Sequence, residues 1–194
     1  QLLEARAAVG VPLVIGSCGT CGTASTVDWM FEITCELAAK LGQTLRVARL
    51  YSDVPVEALR HARDADRLTP LDPAPAIDDA ALADMTNIVA LAGAEQIQAA
   101  INTGADVVLA GRATDTATIA ALPLAHGAHA GGAWHGAKIA ECGAFCTTRP
   151  ASGVIMVSFD ETGFTVTPMG EGVQCSPQSV AAHMLYENSD PWIL

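Results

Sequence analysis

The apolar run Val11–Ile15 (VPLVI) ends abruptly at Gly16, a pattern that predicts a short buried strand. From Ala24 the period changes. Val27, Met30, Phe31, Thr34, Leu37, Ala38 and Leu41 recur at helical spacing, and Gly42 closes the run. Thr44–Tyr51 (TLRVARLY) then alternates apolar and polar positions as a second strand would. Strand, glycine-rich turn, helix, strand is the building block of a parallel sheet.

The middle of the chain is less regular. Val54–Leu68 reads as a surface helix with its arginines and acids on a wet face, and Thr69–Asp79 (TPLDPAPAIDD) as a connector extending to about residue 86. A connector of this length either serves function, touches another subunit or simply links. Regularity returns with a helix over Gly93–Gly104, a buried strand over Ala105–Ala110 and a turn into a helix over Gly111–Leu122. Leu124–Gly136 reads as a glycine-rich loop, followed by a short helix at Ala140–Cys146. Val154–Phe159 and Phe164–Met169 form a hairpin across DETG, and Ser176 with Pro177 opens a last helix running toward Pro191. The expected fold class is α/β: a mostly parallel sheet flanked by helices, with a β-hairpin towards the C-terminus. We expect one domain over residues 1–194, itself part of a longer protein.

Composition narrows the function classes. Hydrophobic residues make up 51% of the 194 and charged residues 16%, which excludes a disordered chain. The net charge is −11 with two lysines, Lys40 and Lys138, so no basic face exists for nucleic acid or an anionic membrane surface. No apolar run is long enough to span a bilayer. A small anionic ligand stays compatible, since one arginine and a few amides can bind it locally. The six cysteines are dispersed, as reduced cytoplasmic thiols are.

Three groups of residues could carry chemistry. The first is the loop after the first strand, where Gly16, Ser17, Gly19, Thr20, Gly22 and Thr23 combine close backbone approach with hydroxyl donors ahead of a helix N-terminus. The spacing is GxxGxxG without a lysine, which excludes an NTPase P-loop, and a purely structural turn remains the alternative. The second is GRATD, where Arg112 at a strand's carboxyl end can clamp a carboxylate or phosphate and Asp115 can cap the next helix or orient Arg112. The third comprises Glu141 beside a glycine turn and His126 in the histidine-bearing loop, each a possible proton carrier. Cys18, Cys21, Cys142 and Cys146 could instead hold zinc or work as redox thiols, or simply pack tightly.

Several of these segments together carry a family resemblance. Gly111, Arg112 and Asp115, then Glu141, Cys142 and Gly143, then Leu185, Tyr186, Glu187 and Pro191 resemble the acyclic terpene utilisation (AtuA-like) family, as does the lead-in Asn87–Asp106. Where the family pattern carries a histidine, this chain has Lys138. The resemblance implies a bacterial, cytoplasmic catabolic protein handling branched or terpenoid acids through coenzyme A thioesters. The expectation is thus an enzyme acting on such an acid or its acyl-CoA by hydration, isomerisation or carbon–carbon cleavage. Asp115 and Glu141 would be catalytic, and the Gly16–Thr23 loop, Arg112 and His126 would bind the ligand. No metal or cofactor is expected, a CoA thioester entering as substrate. A homo-oligomer or a partner subunit is expected as well. A non-catalytic ligand-binding or assembly subunit and a zinc or redox protein are the alternatives.

Overall fold

The computed structural model describes residues 1–185 and divides the chain into two compact units, residues 1–114 and residues 115–194. The fold is mixed α/β, as the sequence predicts.

The first unit opens with α1 (Leu2–Val9), β1 (Leu13–Ile15), α2 (Ala24–Lys40) and β2 (Val47–Leu50). It continues with α3 (Val56–Asp64), α4 (Asp79–Asp84), α5 (Ala94–Asn102) and β3 (Val107–Ala110). The three strands are parallel in the order β1-β3-β2, with Leu13 and Val47 both registered on Val107. Central β3 is buried along its whole length, as a parallel strand covered on both faces must be. Val107 and Leu109 pack with Leu3, Val27, Met30 and Phe31 on the α1/α2 face. Val108 packs with Ala100 and Ile101 of α5 on the other. A helix on each face is what right-handed crossovers require when β1 and β2 flank β3.

The second unit holds α6 (Asp115–Ala125), α7 (Ala130–Ala140), a 3₁₀ turn (Gly143–Cys146), β4 (Val154–Phe159), β5 (Phe164–Met169) and α8 (Pro177–His183). The hairpin pairs Val154 with Met169 and Phe159 with Phe164, on the strand bounds the alternation predicts. Ser176 caps α8, its hydroxyl accepting from Ser179 N at 3.1 Å.

Three local readings change. The connector contains α4, whose N-cap Asp78 accepts from Ala81 N at 2.8 Å and which buries Leu82 completely. The loop expected over Leu124–Gly136 is largely helix, because Gly132 and Gly136 serve close packing: a Cβ on Gly136 would stand 2.6 Å from the Phe159 ring. The short helix expected from Ala140 is only the 3₁₀ turn from Gly143. Among the described residues no helix is long and apolar enough to cross a membrane.

Candidate functional site

In the first unit the chain leaves all three strands at one sheet edge, the carboxyl edge, where open α/β sheets bind ligands. The Gly16–Thr23 loop prolongs β1 there. Ser17 N donates to Gly111 O at 3.1 Å and Cys18 N to Ala110 O at 3.0 Å, so β1–β3 pairing continues past the strand ends. Gly22 is in the left-handed region at φ 66°, and its carbonyl accepts from Arg112 N at 2.9 Å. A Cβ on Gly22 would lie 2.3 Å from that nitrogen, so only glycine permits the approach.

Two non-glycine residues of the loop are also left-handed, Ser17 at φ 48° and Thr20 at φ 70°. A β-branched residue adopts that conformation only under outside constraint. Arg112 supplies it, Nη1 donating to Thr20 O at 3.0 Å, while Ser17 Oγ donates to Ala113 O at 3.2 Å. Three further loop amides are engaged within the loop: Thr20 N on Ser17 O, Cys21 N on Gly19 O, Gly22 N on Cys18 O. The first amide of α2, Ala24 N, donates to the Asp53 carboxylate at 2.6 Å. The loop is therefore not a cradle of open amides. What it offers an anion is the Arg112 guanidinium, framed by hydroxyl-bearing residues.

Ser52 and Asp53 escaped the sequence reading. Ser52 Oγ donates to Arg112 O at 2.9 Å, and Asp53 occupies the α2 N-terminus. Both follow β2 as Ser17 follows β1, and the carboxyl-edge rule, applied to β2, points to them.

The two loop cysteines differ. Cys18 is buried and burial pushes its thiol up; Cys21 is exposed, and its thiol is drawn below the ordinary value, chiefly by the Thr23 backbone amide. All six cysteines are free thiols, and among the described residues no three His, Cys, Asp or Glu side chains gather as metal ligands.

The second unit holds the carboxylates. Glu141 follows α7 with its side chain 13% exposed. Its Oε2 accepts from Thr116 Oγ1 at 2.7 Å and from Lys138 Nζ at 3.2 Å, while its backbone oxygen contacts Nε2 of buried His183 at 2.9 Å. Cys142, next in the chain, is left-handed at φ 51°, and a Cβ on Gly143 would meet Ile155 at 2.5 Å. The Glu-Cys-Gly segment is thus locked in place by packing. Asp115 is exposed at the start of α6, one residue before Thr116.

His126 is exposed and lines a cleft of about 300 Å³ with Pro123, Phe159, Asp160 and Glu161. The Asp160 carboxyl, held low by the Thr162 hydroxyl and the Thr162 and Gly163 amides, is spent on its own turn. His129 caps α7, Nδ1 accepting from Gly132 N at 3.1 Å, and His135 packs edge-on against Phe164 at 5.1 Å. The structure brings Arg112 to the glycine loop and Thr116 and Lys138 to Glu141. It does not gather the three histidines. Tyr186, Glu187 and Pro191 lie outside the described residues.

The family model described as acyclic terpene utilisation family protein AtuA matches residues 3–194, and the chain belongs to that family. Membership points to a role in acyclic terpene utilisation. Searches of curated proteins and of solved structures found no match.

Proposed function

From that family membership we propose that the chain is a catabolic enzyme acting on a small branched or terpenoid carboxylic acid, or on its coenzyme A thioester. The observation that carries this reading is Arg112, fixed at the carboxyl edge of the parallel sheet beside two strained non-glycine residues. Strain held at a ligand-facing edge is typical of sites where geometry is kept for function. One guanidinium nitrogen steadies Thr20, and the planar fork that remains suits a carboxylate or phosphate.

Proton transfer falls to Glu141, with Asp115 as its alternate. Thr116 and Lys138 converge on Oε2, which fixes the carboxylate and leaves Oε1 as the oxygen to exchange a proton with substrate. Lys138, at the position where the family pattern has histidine, keeps a cationic partner beside the acid. Hydration, isomerisation and carbon–carbon cleavage next to a thioester all need such a proton carrier. The reading carries with it a bacterial cytoplasmic setting and either self-association or a partner subunit.

Mass spectrometry of the chain incubated in D₂O with branched acyl-CoAs and free acids tests this. Turnover or deuterium uptake is expected, and Glu141→Gln should reduce it about 10²- to 10⁴-fold. Ligand binding without conversion or exchange would favour a non-catalytic binding subunit.

A further inference from the structure

In the sheet of the first unit β2 is an edge: β3 lies on one side of it, and among the described residues no strand lies on the other. Its backbone alternates accordingly. Arg46 O accepts from Val107 N at 3.2 Å and Leu50 O from Gly111 N at 2.7 Å, so Arg46, Ala48 and Leu50 address β3. The two-residue period of a strand turns the amides and carbonyls of Val47 and Arg49 outward. An open edge of this kind is commonly blunted by charge, proline or a covering segment. Here it is left clear. Arg49, the one charged residue of β2, is drawn onto the α2 face, Nη1 donating to Asp28 at 2.8 Å and the guanidinium lying 4.5 Å from the centre of the Phe31 ring. A groove flanks the edge on each face of the sheet, about 450 Å³ beside Cys35 and Ala38 of α2 and about 580 Å³ beside Ala99 and Thr103 of α5. A strand laid along β2 would send its side chains alternately into the two.

The spacing of the outward groups points to a second β2. Val47 and Arg49 stand symmetrically about Ala48, so a two-fold axis there brings each Val47 opposite the Arg49 of the other copy and pairs their amides and carbonyls reciprocally. Charge agrees with that symmetry. Helix α5 runs against β2, Gln96 lying by Leu50 and Gly104 by Arg46, whose Nη1 donates to Gly104 O at 3.1 Å. Exposed Arg46 therefore marks one end of the edge, and exposed Glu95, in the first turn of α5, the other. Antiparallel pairing sets each against its opposite. We propose that two copies of the chain join through β2 across a two-fold axis at Ala48, forming one continuous sheet with Arg46 of each copy facing Glu95 of the other. The proposed function leaves self-association and a partner subunit both open; the edge selects the first, and depends on neither the substrate nor the reaction.

Sedimentation equilibrium of the full chain tests it, and a dimer is expected. Arg49→Pro removes an outward amide and no bond to β3, and Ala99→Arg places a long charged chain at an exposed helix position; each should give a folded monomer. Arg46→Glu should weaken the dimer about tenfold or more, and Glu95→Arg added to it should restore association. Exposed Cys35 reports the position of the axis. It stands one helical turn, about 6 Å, beyond Phe31, which lies level with Arg49, and so falls near Ala48. A short bis-maleimide should join Cys35 of one copy to Cys35 of the other, as peptide mapping would identify. A chain that stays monomeric at about 100 μM overturns the proposal. So does a dimer that Arg49→Pro and Ala99→Arg leave intact, or one in which Cys35 is not cross-linked. Mass reads the dimer and deuterium uptake the reaction, so either can fail alone.

Discussion

At the scale of single residues, the opening glycine loop shows how one missing side chain sets a contact. Gly22 and Gly42 are both left-handed, at φ 66° and φ 63°, but only Gly22 faces backbone, 2.3 Å from a virtual Cβ, whereas Gly42 has nothing within 4 Å. Gly42→Ala should therefore cost only the left-handed penalty, about 1 kcal/mol. Gly22→Ala adds a clash with Arg112 and should cost about 3 kcal/mol or more, read as a difference in urea midpoint. The thiols make a second contrast. Cys21 is exposed with its thiol held low, whereas burial pushes Cys146 up to about 11. Iodoacetamide at pH 8 should alkylate Cys21 readily and spare Cys146 until the protein unfolds, as peptide mapping would reveal. Equal labelling of the two would mean that Cys146 is not buried in its turn as described. The GxxGxxG spacing marks this turn in the sequence. It does not reveal that the amides of Ser17, Cys18 and Ala24 are already spent, because their partners, Gly111, Ala110 and Asp53, are distant in the chain.

Elements reveal where hydrophobic pattern is informative and where it misleads. The α2 face and the β4–β5 hairpin were legible because each repeats one period over its length. Helix α7 was not. Its sequence, AGGAWHGAKIA, has three glycines, which on propensity alone signals a loop. The helix exists because those positions face close neighbours: Gly163 backbone lies 2.8 Å from a Cβ on Gly132, and the Phe159 and Phe164 rings crowd Gly136. Tertiary packing overrides propensity there. Gly136→Val should accordingly undock the hairpin and lower the melting temperature, although valine is the better helix former; a rise would contradict this packing.

Asp106 performs a comparable service for the first unit. It joins three elements, bonding Arg6 of α1 at 2.7 Å and the Arg46 amide ahead of β2 at 2.8 Å from its place before β3. The Arg46 amide first, and then Arg6, hold its carboxyl below the usual range. A depressed carboxylate contributes stability above its unfolded-state value and loses it as pH falls through the lower folded one. Asp106→Asn should hence melt earlier than the parent at pH 7, with the gap closing below about pH 4. A gap constant with pH would show that the charge itself contributes nothing.

At the scale of the whole molecule, the chain is an acidic α/β protein of two units, one bearing the arginine-braced loop and the other the Glu141 cluster. With a net charge of −11, attraction for an anionic substrate has to come from local groups rather than from the overall field. Arg112 and Glu141 could be picked out because they stand beside glycines at predicted turns. Thr116 could not, since its role rests on Glu141, 25 residues away; Ser52 and Asp53 could be reached only through the carboxyl-edge rule applied to β2, and their partners, 60 and 29 residues away, could not.

The most direct test of the central claim is equilibrium binding of a branched acyl-CoA to the parent chain, Arg112→Lys and Arg112→Ala. Loss of a charged, forked hydrogen-bonding group should weaken binding of Arg112→Ala by about 10- to 100-fold, with Arg112→Lys in between. Affinity unchanged by Arg112→Ala would contradict the account.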